Sequence, residues 1–315
     1  MRTLRPLLAG AVAFAMLGTL SLSGTAEDEA DQPADESPPA ASTEGTTTSD
    51  SPGEVTAVGN LVYATGSSPD AATELMLLLL HPASRSEDGP MVIDVGGSAV
   101  DPQALAERGV SVFSVLFFPD QWPEVKQRAD PTALRAMAEA VACAVRFARG
   151  SEYGSEAAPL VLTGWSAWAG PPSHVALTGE DFDRVWEEYA ESAGGPPAQY
   201  DCTAGEASTR VDGFVGVAGA YDTYVGYEGK YGRDFLLEHE PDLWEMLWST
   251  VGLHPELRVR LIHGDADSTI PLENSAAFEA VLAEAGYDVE LVEFAGGHGA
   301  PPDLVLETVV DLVAL

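Results

Sequence analysis

Leu160-Val161-Leu162-Thr163-Gly164-Trp165-Ser166-Ala167-Trp168-Ala169-Gly170 is the stretch from which the rest of the chain can be read. Leu160–Thr163 is a short run of apolar and β-branched residues without polar alternation, which predicts a strand buried on both faces. It passes directly into Gly-x-Ser, and the pattern predicts a helix beginning near Ser166. A strand that ends in a sharp turn and feeds a helix lifts the serine hydroxyl to the end of the sheet, next to the free N–H groups of the helix start. Ala167, Ala169 and Gly170 suit the crowding of such a turn. Trp168 does not, because the residue two past the serine packs close to a neighbouring element. Taken alone, the stretch fits equally well a serine that caps a helix N-terminus.

Reading outward, strands and helices alternate. Upstream, Glu54–Ala64 and Glu74–Leu80 predict an opening antiparallel pair, and Met91–Val95 a buried strand. A helix is expected over Asp101–Arg108 with Gly109 as its stop, then a strand over Val110–Phe117. Asp130-Pro131 opens a long helix with apolar spacing through Leu134, Met137, Val141, Val145 and Ala148. Downstream, strands are expected over Val211–Val217, Leu257–Ile262 and Tyr287–Phe294, with helices over Leu272–Ala285 and Pro302–Val313. This rhythm predicts an α/β fold, a mostly parallel central sheet with helices on both faces. Two long aromatic stretches interrupt it, and both are expected as cap insertions, at about 178–210 and 221–256. Their Trp186, Tyr189, Tyr224, Trp244 and Trp248 can line an apolar pocket or sit in the core.

Beyond the serine, a carboxylate and an imidazole follow in a suggestive order. His263-Gly264-Asp265-Ala266-Asp267 closes a strand with a glycine turn, and Gly296-Gly297-His298 lies just past the next strand. A serine hydroxyl is a poor nucleophile unless a histidine takes its proton and a carboxylate orients that histidine. Ser166 is therefore the candidate nucleophile, His298 the candidate base and Asp267 the candidate acid. Asp265 and Asp222 are rival acids, Asp267 also fits a simple turn former, and His263 is expected to order the turn. Val95-Gly96-Gly97-Ser98 follows a buried strand and precedes a helix. The N–H of Gly97 or Ser98, with that of Ala167, is the candidate oxyanion hole, although an ordinary tight turn reads the same. Phosphate-binding and dinucleotide-binding glycine patterns, HExxH and Cys/His clusters do not occur, so no cofactor and no metal are expected.

The chain has 315 residues, 45% of them apolar, which fits one large domain over 54–315. Arg2 and Arg5, an apolar run over 7–22 and the small residues Gly24-Thr25-Ala26 read as an export signal over 1–26, either cleaved after Ala26 or kept as an anchor. Its loss leaves 13 of the 15 basic residues against 50 acidic ones, a net charge of −37 in place of −35. Such a charge repels nucleic-acid phosphates and anionic membrane surfaces, so neither is expected as a partner. Residues 27–53, rich in Glu, Asp, Pro, Ser and Thr, are expected to form a disordered linker. Two cysteines, Cys143 and Cys202, allow a single disulfide in an exported protein, or two buried thiols.

From about Val55 to its end the chain resembles the α/β-hydrolase superfamily, in particular its esterase/lipase and dienelactone-hydrolase-like branch. The likeness is carried by Gly164-Trp165-Ser166 and by the run from Arg258 through His263-Gly264-Asp265-Ala266-Asp267. Ile270-Pro271, Phe278, Leu282, Ala285-Gly286 and the His298 loop continue it. The resemblance implies Ser166 as nucleophile, Asp267 as acid and His298 as base. It also implies an eight-stranded, mostly parallel sheet with the second strand antiparallel, and carboxylic-ester hydrolysis through an acyl-enzyme. Trp168 departs from the elbow pattern, and Val95-Gly96-Gly97-Ser98 departs from the His-Gly-Gly-Gly of many relatives. The expectation is a secreted serine esterase acting on a small-molecule ester. The alternatives are a binding protein of the same fold, with Trp165 and Trp168 shaping the pocket, and a peptidase. A Trp168 ring wedged between Ser166 and His298 would favour the binding protein.

Overall fold

The computed structural model describes residues 54–66, 74–86, 88–96, 99–115, 131–193, 200–221 and 249–314, all within the unit 47–315. The expected export signal (1–26) and linker (27–53) lie outside the described residues. So do Gly97, Ser98, Asp222, Tyr224, Trp244 and Trp248, and with them most of the expected cap over 221–256.

Strands β1 (Val55–Gly66) and β2 (Glu74–Pro82) form the antiparallel opening pair. β3 (Met91–Val95), helix α1 (Pro102–Glu107) and β4 (Ser111–Val115) follow, and then the long helix α2 (Pro131–Gly150). β5 (Leu160–Trp165) enters a 3-10 turn at Ser166–Ala169 and helix α3 (Gly170–Thr178), whose first turn holds two prolines. Proline is tolerated there because those N–H groups lack intrahelical partners. Helix α4 (Phe182–Ala193), the short β6 (Tyr200–Cys202), β7 (Gly213–Val217), β8 (Arg258–Gly264), α5 (Leu272–Glu284), β9 (Asp288–Phe294) and α6 (Pro302–Val313) complete the order.

The nine strands are arranged β6-β1-β2-β4-β3-β5-β7-β8-β9. From β4 to β9 all pairs are parallel, and β2 is antiparallel to β4. Every residue of β3, β4 and β7 is buried, as a parallel sheet covered on both faces requires. Neighbouring residues on a strand face opposite layers. Ile93, Phe113, Leu162 and Phe214 meet α2, α3 and α5 on one side. Val92, Val112, Val161, Val215 and Ile262 meet α1 and α6 on the other. The chain steps from β3 out to β4, then returns past β3 to β5 and proceeds the other way. The carboxyl ends of β3 and β5 therefore flank the point where the winding reverses, the place where such sheets leave a crevice for ligands.

Among the described residues the sheet has nine strands rather than the eight that the resemblance implies, because β6 pairs with β1 and extends its edge. In the stretch 178–210, expected as a cap, the described helix packs onto the body. α4 buries Phe182, Val185, Trp186 and Tyr189 in the body's core, and its amphipathic spacing serves that core rather than a pocket wall. Cys143 on α2 is disulfide-bonded to Cys202 on β6. The bridge fastens the added edge strand to the layer beneath it, and closing a loop of this length stabilises by about 2–4 kcal/mol. Among the described residues no helix is long and apolar enough to cross a membrane.

Candidate active site

β5 delivers Ser166 to the carboxyl end of the sheet, beside β3. A Cβ on Gly164 would stand 2.5 Å from the carbonyl oxygen of Trp168 and 2.8 Å from Cα of Ala169. Only glycine lets the turn fold back so closely. Ser166 has φ +58°, a left-handed conformation that costs a non-glycine residue about 1–3 kcal/mol and persists only where the surroundings enforce it. Part of that enforcement is the Ala220 N–H, which donates to the Ser166 carbonyl at 3.1 Å.

Both tryptophans of the turn have packing roles. The Trp165 indole N–H donates to the backbone carbonyl of His298 at 2.8 Å, and its ring lies 4.9 Å from the imidazole, centroid to centroid. The Trp168 ring lies over Gly96 at the end of β3. A Cβ on Gly96, which has φ +86°, would be 2.7 Å from Trp168 Cγ. The residue that breaks the elbow pattern is thus accommodated by a glycine on the neighbouring strand.

The candidate acid, Asp267, stands in the turn after β8. Gly264 sits so close to the next loop that a Cβ there would overlap the carbonyl oxygens of Gly296 and Gly297. Asp267 is fully buried as a side chain. Its Oδ1 accepts the N–H groups of Thr269 at 2.7 Å and Ile270 at 3.1 Å. Burial alone would raise its carboxyl, but the bonds from His298, Thr269 and Ile270 outweigh burial and hold it below the ordinary value of 3.8. The rival Asp265 instead accepts the Gly296 N–H at 3.1 Å and so shapes the histidine loop. Asp222 lies outside the described residues.

His298 closes the arrangement. Its Nδ1 is 2.7 Å from Asp267 Oδ2 and its Nε2 is 2.8 Å from Ser166 Oγ. The ionised carboxylate can only accept, so Nδ1 carries the hydrogen and Nε2 is free to take the serine proton. The Trp168 ring does not stand between Ser166 and His298. Of the proposed oxyanion donors, Ala167 lies at the start of the 3-10 turn, where the first N–H groups lack an intrahelical acceptor. Gly97 and Ser98 lie outside the described residues. Among the described residues no three His, Cys, Asp or Glu side chains converge as metal ligands would.

One group beneath the site escaped the sequence reading. Asp94, buried in β3, accepts the Thr163 hydroxyl at 3.0 Å and the Ala99 N–H, while its Oδ2 has no partner. Burial pushes its carboxyl from 3.8 up to about 6 against the pull of those two bonds. The available signal was a lone acid in the otherwise apolar run Met-Val-Ile-Asp-Val.

No family model and no curated protein matches the chain. Solved structures do. A truncated carbohydrate esterase from gut microbiota superposes with a TM-score of 0.55 at 18% identity, over 82% of this chain and 95% of that one. A thermophilic esterase from the planctomycete Thermogutta terrifontis gives 0.52 at 16%, over 80% and 90%. The same esterase phosphorylated by paraoxon gives 0.52 at 17%, over 82% and 93%. At such identities the likeness is one of fold, and the fold is one that esterases use.

Proposed function

We propose that this chain is an exported serine hydrolase of the α/β-hydrolase fold that cleaves carboxylic esters. One observation carries the reading: the unbroken chain from Ser166 Oγ through the His298 ring to Asp267, with links of 2.8 and 2.7 Å, at the end of the sheet where the winding reverses. The positive φ of Ser166 adds support, since strain of that kind concentrates at functional sites.

Ser166 Oγ bonds to the ester carbonyl carbon while its proton passes to His298 Nε2, and the carbonyl π electrons move to oxygen. The Ala167 N–H and a donor from Gly97 or Ser98 hold that oxyanion. As the intermediate collapses, the carbon–oxygen bond to the leaving alcohol breaks and Nε2 returns the proton to it. Water then attacks the acyl-enzyme, giving its proton to Nε2. The acid departs, and Ser166 recovers its hydrogen. Asp267 holds the imidazole in the required tautomer and stabilises its cation. The structural neighbours, esterases by name, support ester chemistry over the peptidase alternative. A tryptophan wedged between serine and histidine would have favoured the binding-protein alternative, whereas the two are in direct hydrogen-bond contact, which favours catalysis. The export signal over 1–26 and the linker over 27–53 belong to the same reading, in which the Cys143–Cys202 bridge suits an oxidising compartment.

The test is labelling by a fluorophosphonate probe, followed by a panel of esters of increasing acyl length. Ser166→Ala is expected to abolish labelling and to lower turnover by about 10⁶-fold. Labelling of the alanine variant at the wild-type rate would overturn the assignment.

A further inference from the structure

His263 is not one of the three residues of the candidate triad, yet it is bonded to the candidate acid. Its ring is fully buried on β8. Nδ1 is 2.6 Å from Ser275 Oγ on α5. Nε2 is 2.9 Å from the Ile270 carbonyl oxygen and 3.2 Å from Asp267 Oδ2. Both groups facing Nε2 can only accept, so Nε2 carries a hydrogen and shares it between them. Oδ2 is also the oxygen that accepts from His298.

Asp267 stands on a turn, and turns are less rigid than the strands and helices that flank them. The turn is folded around its own carboxylate, since Thr269 and Ile270 both donate to Oδ1. Its start is tied down by the N–H groups of Asp265, Ala266 and Asp267, which donate to the carbonyls of Phe294, Gly296 and Gly264; what remains is to fix its far end and the carboxylate itself. The His263 ring does so from two regular elements at once, being carried by β8 and bonded to α5 through Ser275, which is fully buried as well. It grips the turn at its far end, Ile270, and at the carboxylate. We propose that His263, held by Ser275, is a positioning residue of the hydrolytic site. It fixes the carboxylate plane of Asp267 so that Oδ2 is presented to Nδ1 of His298. Oδ1 is already occupied by two backbone donors, and without His263 the other oxygen keeps only His298 as a side-chain partner among the described residues.

The inference rests on the hydrolytic reading above. A misplacement of about 1 Å in such a constellation costs about 100-fold in rate. In the full-length protein, His263→Phe removes both hydrogen-bonding nitrogens and keeps a ring. It is expected to lower kcat for a short-chain ester about 100-fold while KM stays within about threefold. His263→Gln, whose amide N–H reaches toward the place of Nε2, should recover most of that loss. Ser275→Ala removes the anchor of the ring together with the hydroxyl's bond to Tyr221 and should lower kcat about tenfold with KM unchanged; it keeps the test open if His263→Phe fails to fold. A role confined to core stability would move Tm without this kcat-against-KM split and without rescue by glutamine. Wild-type kcat in folded His263→Phe or in folded Ser275→Ala overturns the proposal. Fluorophosphonate labelling of wild type and Ser166→Ala runs alongside. If that control fails, the hydrolytic reading falls and this role with it. If the control holds and the His263 and Ser275 variants are fully active, this role alone falls.

Discussion

The two halves of the candidate site are built differently. On the acid–base side, after β8 and β9, backbone meets backbone: Gly264 lies against the carbonyls of Gly296 and Gly297, the Asp265 N–H donates to the Phe294 carbonyl and the Ala266 N–H to that of Gly296. On the serine side, between β5 and β3, a side chain fills the space that a bare backbone would leave, the Trp168 ring lying over Gly96. The first half has no adjustable parts, because two main chains in contact cannot move aside singly. The second can give a little, because a ring can tilt. A methyl group added at Gly264 should therefore be costly and one added at Gly96 more tolerable, with that tolerance set by Trp168; Gly164, which meets the backbone of Trp168 and Ala169, belongs with the first kind.

The largest expected effect follows directly. In Gly264→Ala the new methyl meets two backbone carbonyls with nowhere to go, so the loop carrying His298 must shift. Activity should fall by at least about 100-fold, as for any comparable displacement of a catalytic group. Thermal unfolding and ester turnover together check this. A variant with a wild-type Tm and wild-type turnover would show that the His298 loop is softer than its contacts indicate, and the contrast between the halves would collapse.

That contrast also explains what could be read in advance. Gly264, Asp267 and the glycines around His298 act through backbone geometry that few residue types satisfy, so the residue types themselves announce the arrangement. The alternation of β3, β4, β5 and β7 with helices was legible for a similar reason, since strands buried on both faces must be largely apolar. The serine side compensates between strands. Trp168 is tolerated because of a glycine on β3, about seventy residues earlier, and no local pattern links the two. The same holds for Trp165, whose indole is bonded to a carbonyl in the His298 loop. It holds too for α4 and β6, where aromatic density suggested a cap but amphipathic packing and one edge pairing make them part of the body.

Beneath the serine side, Asp94 provides the next test. Its folded-state value of about 6 exceeds the ordinary 3.8 because burial penalises the charge. Between those two pH values the folded chain holds a proton that the unfolded chain has released. Its contribution to stability therefore falls as pH rises through that window and is constant above it. A displacement of about two units corresponds to about 3 kcal/mol. Asp267 runs the opposite way, since its lowered value adds stability that is present above 3.8 and lost as pH falls through its folded value. Asp94→Asn isolates the first effect. The stability difference between that variant and wild type, from urea unfolding at pH 4 and pH 7, should move by about 2 kcal/mol in the variant's favour as pH rises, since pH 4 already lies inside the window. A difference independent of pH would mean that the Asp94 carboxylate is solvated, and that the floor beneath the serine turn is open to water.

The smallest expected effect bears most directly on Trp168. In Gly96→Ala a methyl group is added where φ is +86°, and it meets the ring at 2.7 Å. The backbone part costs about 1–2 kcal/mol and stays whatever the neighbour is, while the contact part depends on the ring. Trp168→Ala alone loses packing and is destabilising. Placed on Gly96→Ala it removes the contact, so the double variant should be more stable than the sum of the two single changes predicts. The coupling should be about 1 kcal/mol, within the range found for touching residues. Labelling of Ser166 should follow the same ordering, with Trp168→Ala labelled faster than Gly96→Ala, because the added methyl displaces the strand end that the serine turn rests against. Strict additivity would sever the link between tryptophan and glycine. The serine side would then be as rigid as its counterpart, and its departure from the elbow pattern would need a cause outside the packing of β3 on β5.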